Sequence, residues 1–473
     1  MNFEPLDPRS VAAYNLNPRF GDIQCIRQKL NELLVDPPFF GNPLDPDAED
    51  PLSPADDLIF GGVRSDFDYK IFFINNYLPP KMAHMFYKIL SGSLLIAGTT
   101  IGAGMLGIPL LTAGAGFWPA IFITGAVWLF MLATGLLYLE ATLWMEEGAN
   151  ILSISRRFLG KSGRWAAGST FLFLYYCLMI AYFAAGAPIL LSFLGLPLTQ
   201  LGYLGFGALF GMITAFGIKT IDRINYILMF AMFIAYFALL VDGSSLVERE
   251  RLSMQNWPNM VFAAPVLFSA FGFHNVIPSL TTYFHRNVKV LRRSIFFGTF
   301  IPFIIYVLWQ WLIIGAVPQS SIELALIEGR PATAALQSLT GSPWILRTGQ
   351  FFALFAIATS MLGVAFSMVD FLGDGLKIGR RGFSRIFLCL LVFLPPYLLS
   401  TINPEIFITA LGIAGGFGEA FLNGMLPVML VWVGRYTREL GGKEMLFGKK
   451  GILSLLFALA LCVMGLEAIL LFR

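Results

Sequence analysis

The chain has 473 residues, 57% of them hydrophobic and only 13% charged, with a formal net charge of +3 and a mean hydropathy of +0.72. Soluble domains carry about 25% charged residues, so this composition excludes a set of soluble domains and a disordered polymer alike. Four cysteines and three histidines exclude a disulfide-stapled scaffold, and the small net charge excludes nucleic acid as a main partner.

The first 85 residues are a different polymer from the rest, with 13 acidic and 7 basic side chains and 11 of the 26 prolines. The run at 36–57 (DPPFFGNPLDPDAEDPLSPADD) disfavours both helix and central strand. Residues 26–34 can form a short amphipathic helix. Residues 1–85 are therefore expected to be an acidic, proline-rich cytoplasmic tail, largely disordered.

Between Lys88 and Glu140 there is no charged side chain, and none lies between Trp165 and Ile218. A helix needs about 20 residues to cross a bilayer core, so each stretch holds two spans. The apolar residues are continuous rather than alternating, which selects helices over a barrel. Eleven spans, numbered α1 to α11, are predicted near 89–113, 117–144, 166–194, 202–217, 222–242, 259–281, 294–316, 347–372, 383–401, 405–434 and 451–472. The chain thus reads as an all-α polytopic membrane protein with a membrane domain at 86–473. Residues 323–339, between α7 and α8, read as short helices capping the outer side.

Lys and Arg set the orientation. The loops after α2, α4, α6, α8 and α10, with their flanking turns, hold 19 of them, whereas the alternate loops and the C-terminal residue hold five. That asymmetry predicts a cytoplasmic N-terminus and an external C-terminus. Nothing ahead of Lys88 reads as a cleavable signal peptide. The cysteines Cys25, Cys177, Cys389 and Cys462 lack metal or redox spacing and read as packing residues.

Two of the predicted helices carry breaks. Residues 98–109 of α1 (GTTIGAGMLGIP) and 269–278 of α6 (SAFGFHNVIP) are both polar, glycine-containing and closed by Ile-Pro. Glycine costs a helix about 1 kcal/mol relative to alanine, and proline removes a backbone donor. The two helices lie five spans apart and run in opposite directions. A 5+5 inverted repeat with a broken first helix in each half is the LeuT-type arrangement of secondary transporters. The repeats are then 86–242 and 257–435, with 450–473 an added helix. Unwinding frees N–H and carbonyl groups at mid-membrane, and an amino acid can satisfy both kinds. Packing glycines or simple proline kinks are the alternative explanation of each break.

Residues 98–109, residues 271–278 (FGFHNVIP), residues 358–364 (ATSMLGV) with 370–375 (DFLGDG), and residues 411–416 (LGIAGG) resemble the bacterial tyrosine and tryptophan permeases. These form the hydroxy/aromatic amino acid permease family of the amino acid–polyamine–cation superfamily. The resemblance covers about residues 86–473, is specific in α1 and α6 and looser elsewhere. It implies an eleven-helix, proton-coupled importer of tyrosine or tryptophan in a bacterial inner membrane. The acidic tail departs from the family pattern.

By analogy with this fold, substrate is expected between Gly102, Ala103, Gly104 and Met105 of α1 and Phe271, Gly272, Phe273 and His274 of α6. Tyr175 and Tyr176 of α3 would close over it, and Phe271 and Phe273 offer stacking partners. In sodium-coupled members of the fold, hydroxyls placed like Thr359 and Ser360 join carbonyls to cage a cation, which here would come from Ala97, Thr100 and Ala356. The alternative for such hydroxyls is a bond back to the preceding helical turn.

Ionisable groups deep in spans are functional by default. His274 has a proton-exchanging side chain in the α6 break, or is a neutral hydrogen-bonding residue there. Glu419, beside Gly415 and Gly416 in α10, is the other candidate proton carrier. Glu140 and Asp370, near the cytoplasmic ends of α2 and α8, are expected to pair with basic loop residues or to shape the inner gate, and Glu467 to reach the headgroups. No metal or organic cofactor is expected; the coupling ion is H+, with Na+ the alternative. The expected partners are a small amino acid and membrane lipid. The expected mechanism is alternating access, with α1, α2, α6 and α7 rocking against α3, α4, α8 and α9. Sodium symport or amino acid exchange is the rival within this fold; a channel or a transporter-like sensor is more remote. Three histidines and scattered acids offer no catalytic cluster, so an enzyme is not expected.

Overall fold

Long apolar segments at membrane depth can satisfy their backbone only within themselves, and the computed structural model is accordingly helical, with no strand among the described residues. It describes residues 80–337, 343–379, 382–442, 444–446 and 449–472, all within one compact unit, Gly62–Arg473. Residues 1–79, and with them the predicted helix at 26–34, lie outside the described residues.

The first span starts at Pro80–Thr100, ahead of the expected 89, and after a break continues as Ala103–Leu106, Ile108–Thr112 and Ala113–Ala115. Its two parts meet at 52°. α2 is Phe117–Leu143, α4 Gln200–Phe216 and α5 Ile218–Ser244. α6 is broken into Trp257–Ala263 with Ala264–Ala270, then His274–Val276 with Ile277–Tyr283. α7 is Val288–Ala316, α8 Pro343–Leu376, α9 Phe383–Ile402 and α11 Lys449–Leu471. The short helices Gln319–Ile327 and Ala332–Gln337 occupy the predicted segment between α7 and α8.

Among the described residues nine helical segments, the broken α6 included, are long and apolar enough to span, and the bent α1 pair is a tenth. The remaining predicted span, α4, has 17 residues that rise about 26 Å at 1.5 Å each, short of a 30 Å bilayer core, so ten of the eleven predicted spans have the full length.

The α3 helix is longer than expected, running Ile151–Phe193 with a kink at Gly160, where φ is +74°. Arg156, Arg157, Lys161 and Arg164 hid its first part, because charge interrupts an apolar run without interrupting a helix. Asn150 and Ser153 cap its start reciprocally, at 3.0 and 2.9 Å.

α10 departs most from the expectation of a plain helix. It begins as Phe407–Ile413, winds as a π-helix over Ala414–Met425, and ends through Leu426–Trp432 and a second π turn, Val433–Thr437. Such wide turns are rare and concentrate at functional sites.

Packing sorts the helices into the expected groups. α7 lies along α1 and α2, and the second part of α6, Ile277–Tyr283, packs on α2; α8 lies along α3 and α5, and α9 along α3 and α4. α10 sits among α3, α6 and α11. The centre is α3, with 72% of its apolar window buried, whereas α5 and α11 have 22% and line the outside.

Candidate functional site

The two breaks touch. An added Cβ on Gly104 would lie 2.9 Å from the Ala270 Cα, so glycine is what lets the α1 break cross the end of the first part of α6. Gly102 lies against Ser360 of α8 in the same way, and the Ala103 N–H donates to Ser360 Oγ at 3.2 Å. Gly272 leaves room for the Glu419 carboxyl group, whose Cδ would be 2.9 Å from an added Cβ. Gly102, Ala103, Gly104, Met105, Phe271, Phe273 and His274 are all buried. The structure therefore brings the two predicted segments together, with α8 and α10 closing on them.

The π-helix explains how Glu419 arrives there. Gly415 presses on the backbone of α6, with an added Cβ 2.7 Å from Ser269 N, and Gly418 on Leu174 of α3, at 2.8 Å. The backbone thus approaches closely on two sides, and the carboxylate between them points at the α6 break. Asn423, one turn on, donates from its amide to Glu419. Glu419 is 5% exposed.

Glu467 behaves otherwise than expected. It does not reach the headgroups: it is buried, and its Oε1 would be 2.8 Å from a Cβ on Gly412. The glycines of α10 draw α11 close enough to enclose it. Glu140 pairs as expected, in a buried bidentate bridge to Arg435 at 2.6 and 2.7 Å, and it accepts the Met445 N–H at 2.8 Å.

His274 Nε2 lies 3.1 Å from Thr134 Oγ1 on α2, while its Nδ1 is buried with no hydrogen-bond partner. The aromatic neighbours are already engaged: Phe271 meets the Tyr306 ring edge-to-face at 5.0 Å, and Phe273 fills the space a side chain on Gly135 would need, 2.5 Å from an added Cβ. Asn275 donates to the Tyr175 hydroxyl at 3.2 Å, which ties α3 to the α6 break. Tyr176 does not join it. Successive helical residues diverge by about 100°, and the Tyr176 hydroxyl donates instead to the Leu391 carbonyl of α9 at 2.9 Å.

The expected cation cage is internally paired. Thr359 donates to the Phe355 and Ala356 carbonyls, 3.0 and 3.1 Å away on its own helix. The Ala97 carbonyl accepts from Ile101 N–H at 2.8 Å. The Thr100 carbonyl accepts from the Tyr306 hydroxyl at 2.7 Å, and Ser360 accepts from Ala103. Sequence reasoning missed Tyr306, Thr134 and Asn423. Asn423 was legible, being four residues from Glu419 on one helix; nothing singles out Tyr306 among 15 tyrosines.

Several known proteins are similar to this chain. A crystal structure of MhsT in complex with L-phenylalanine superposes with a TM-score of 0.56 at 15% identity, over 81% of this chain and 98% of that one. That likeness is one of fold, of the LeuT type. The tyrosine-specific transport system 1 of Haemophilus influenzae is 35% identical over 74% of this chain and 88% of its own length. The tryptophan-specific transport protein of the same organism is 33% identical over 69% and 83%, and the low affinity tryptophan permease of Escherichia coli 31% identical over 68% and 82%. Residues 85–466 match the tryptophan/tyrosine permease family as a whole, and with its two crossing breaks and apolar spans the chain belongs to that family.

Proposed function

We propose that this protein is a secondary active importer of aromatic amino acids, tyrosine and/or tryptophan, that moves its substrate together with a proton by alternating access. The observation that carries the coupling is the Glu419 carboxyl group lodged against Gly272 in the α6 break. A carboxyl group there binds or releases its proton in contact with the backbone that receives the substrate. Among the described residues its side-chain hydrogen-bond partner is the uncharged Asn423 amide, so protonation changes the net charge of the site rather than being offset by a charged partner.

The freed backbone groups around Gly102, Gly104 and Gly272 suit the carboxylate and ammonium of an amino acid. The unpartnered Nδ1 of His274 offers a hydrogen bond to a phenol or an indole N–H, and Tyr175 flanks the same segment. The similar proteins named for tyrosine and tryptophan support that substrate class.

Sodium coupling is the second reading. The oxygens of Ala97, Thr100, Ala356, Thr359 and Ser360 are those it would use, and their internal partners weigh toward the proton. The excess of Lys and Arg in alternate loops supports a cytoplasmic N-terminus and an external C-terminus in a bacterial inner membrane.

Uptake of labelled tyrosine and tryptophan into proteoliposomes, with proton and sodium gradients imposed independently, tests this. An inward proton gradient alone should drive accumulation. Accumulation driven by sodium alone, or by neither gradient, overturns proton coupling.

A further inference from the structure

The inner part of α1, Pro80–Thr100, and the outer part of α6, Ala264–Ala270, run toward each other from opposite sides and both end, C-terminus first, at the crossing of the breaks. The last carbonyls of a helix have no partner within it, and they carry its partial negative charge. Two such ends meet at one buried point. The group found there is the hydroxyl of Tyr306, on α7, 2.7 Å from the Thr100 carbonyl oxygen and 2.9 Å from that of Ala270.

A phenol has one proton, and here it faces two acceptors, each with two lone pairs. The demand for donors at this point is therefore only partly met. Tyr306 itself is held firmly. Its ring packs on Phe271, and its own carbonyl accepts from the Gln310 amide at 3.1 Å. Gln310 in turn donates to Thr124 on α2, also at 3.1 Å. The hydroxyl therefore stands on a fixed scaffold and spans two segments that have no other covalent or helical tie at that point.

We propose that Tyr306 is a positioning residue for the substrate: bridging the Thr100 and Ala270 carbonyls, it holds the two breaks at the spacing in which their remaining lone pairs receive the substrate's ammonium. It plays the part a bound cation would otherwise play between two negative helix ends. This rests on the reading of the substrate as an amino acid.

The test is equilibrium binding to the purified full-length protein, comparing tyrosine or tryptophan with the analogue that lacks only the amino group, 3-(4-hydroxyphenyl)propionate or indole-3-propionate. Tyr306→Phe removes one oxygen and keeps the ring. Tyr236→Phe is the control, since Tyr236 is equally buried and its hydroxyl donates to a carbonyl, that of Ile305, at 2.9 Å. In Tyr306→Phe the preference for the amino acid over its deamino analogue should fall roughly tenfold or more, the scale of one lost hydrogen bond to a charged arrangement. In Tyr236→Phe it should stay at the wild-type value. An unchanged preference in Tyr306→Phe, or an equal loss in both variants, overturns the proposal. If Tyr306→Phe does not fold, 3-fluorotyrosine incorporated at position 306 keeps the ring and hydroxyl, adds one small ortho atom and makes the phenol a stronger donor, and the preference must shift. A wild-type protein that binds neither amino acid overturns the substrate reading itself, which is a distinct result.

Discussion

Gly104→Ala is the sharpest perturbation of the crossing. The new Cβ would stand 2.9 Å from the Ala270 Cα, 3.1 Å from its Cβ and 3.4 Å from its N. Carbon atoms rest about 3.5–4.0 Å apart, and the obstructing atoms are mostly backbone, so no rotamer change relieves the clash. The breaks must part by roughly 1 Å, and overpacking of this kind costs about 1–3 kcal/mol. Because the strain falls on the two segments that would bind substrate, affinity should drop about 5- to 100-fold, at about 1.4 kcal/mol per tenfold. Gly98→Ala, six residues earlier in the same helix, is the comparison. Its Cβ would also come within 2.9 Å of a neighbour, but that neighbour is the Met229 Cε at the end of a flexible chain. The thioether can swing aside, and alanine is better than glycine in a helix by about 1 kcal/mol. Equilibrium binding of labelled tyrosine and tryptophan, with the thermal midpoint in detergent, measures both. Wild-type affinity in Gly104→Ala, or an equal loss in Gly98→Ala, would refute the reasoning.

Other substitutions separate the roles of neighbouring residues. Glu419→Gln keeps the shape of the side chain but holds no exchangeable charge, so proton-driven accumulation should vanish while counterflow exchange persists; accumulation that survives removes Glu419 as carrier. Glu140→Gln removes the buried acid that pairs with Arg435 and leaves it only the exposed Glu444, 3.4 Å away, among the described residues, a loss of about 3 kcal/mol visible as a lowered unfolding midpoint. Tyr175→Phe should weaken substrate binding through Asn275, whereas Tyr176→Phe should cost only stability, about 1 kcal/mol, because its hydroxyl serves α9. A reversed pair of binding results would mean that Tyr176 rather than Tyr175 faces the site.

Much of this was legible in advance. Charge-free runs between Lys88 and Glu140 and between Trp165 and Ile218 could only be paired helices, since backbone groups in lipid must be satisfied locally. The glycines before Ile108-Pro109 and Ile277-Pro278 announced the two breaks. What stayed hidden involved charge within helices or groups meeting across them. The amphipathic start of α3 was masked by its three arginines and one lysine. Glu467 was misplaced because depth along a helix says nothing about which side of it another helix covers.

Composition and period are local properties, and they determined that this chain is a polytopic helical membrane protein with weak points in α1 and α6. Which atoms meet at those weak points is a matter of long-range packing. Only the tertiary structure decided that Gly104 rests on Ala270, that the π-helix of α10 delivers Glu419 to Gly272, and that Tyr306 closes both helix ends with one hydroxyl. Each of these depends on two or more segments far apart in the chain, so no pattern within any one of them could carry it.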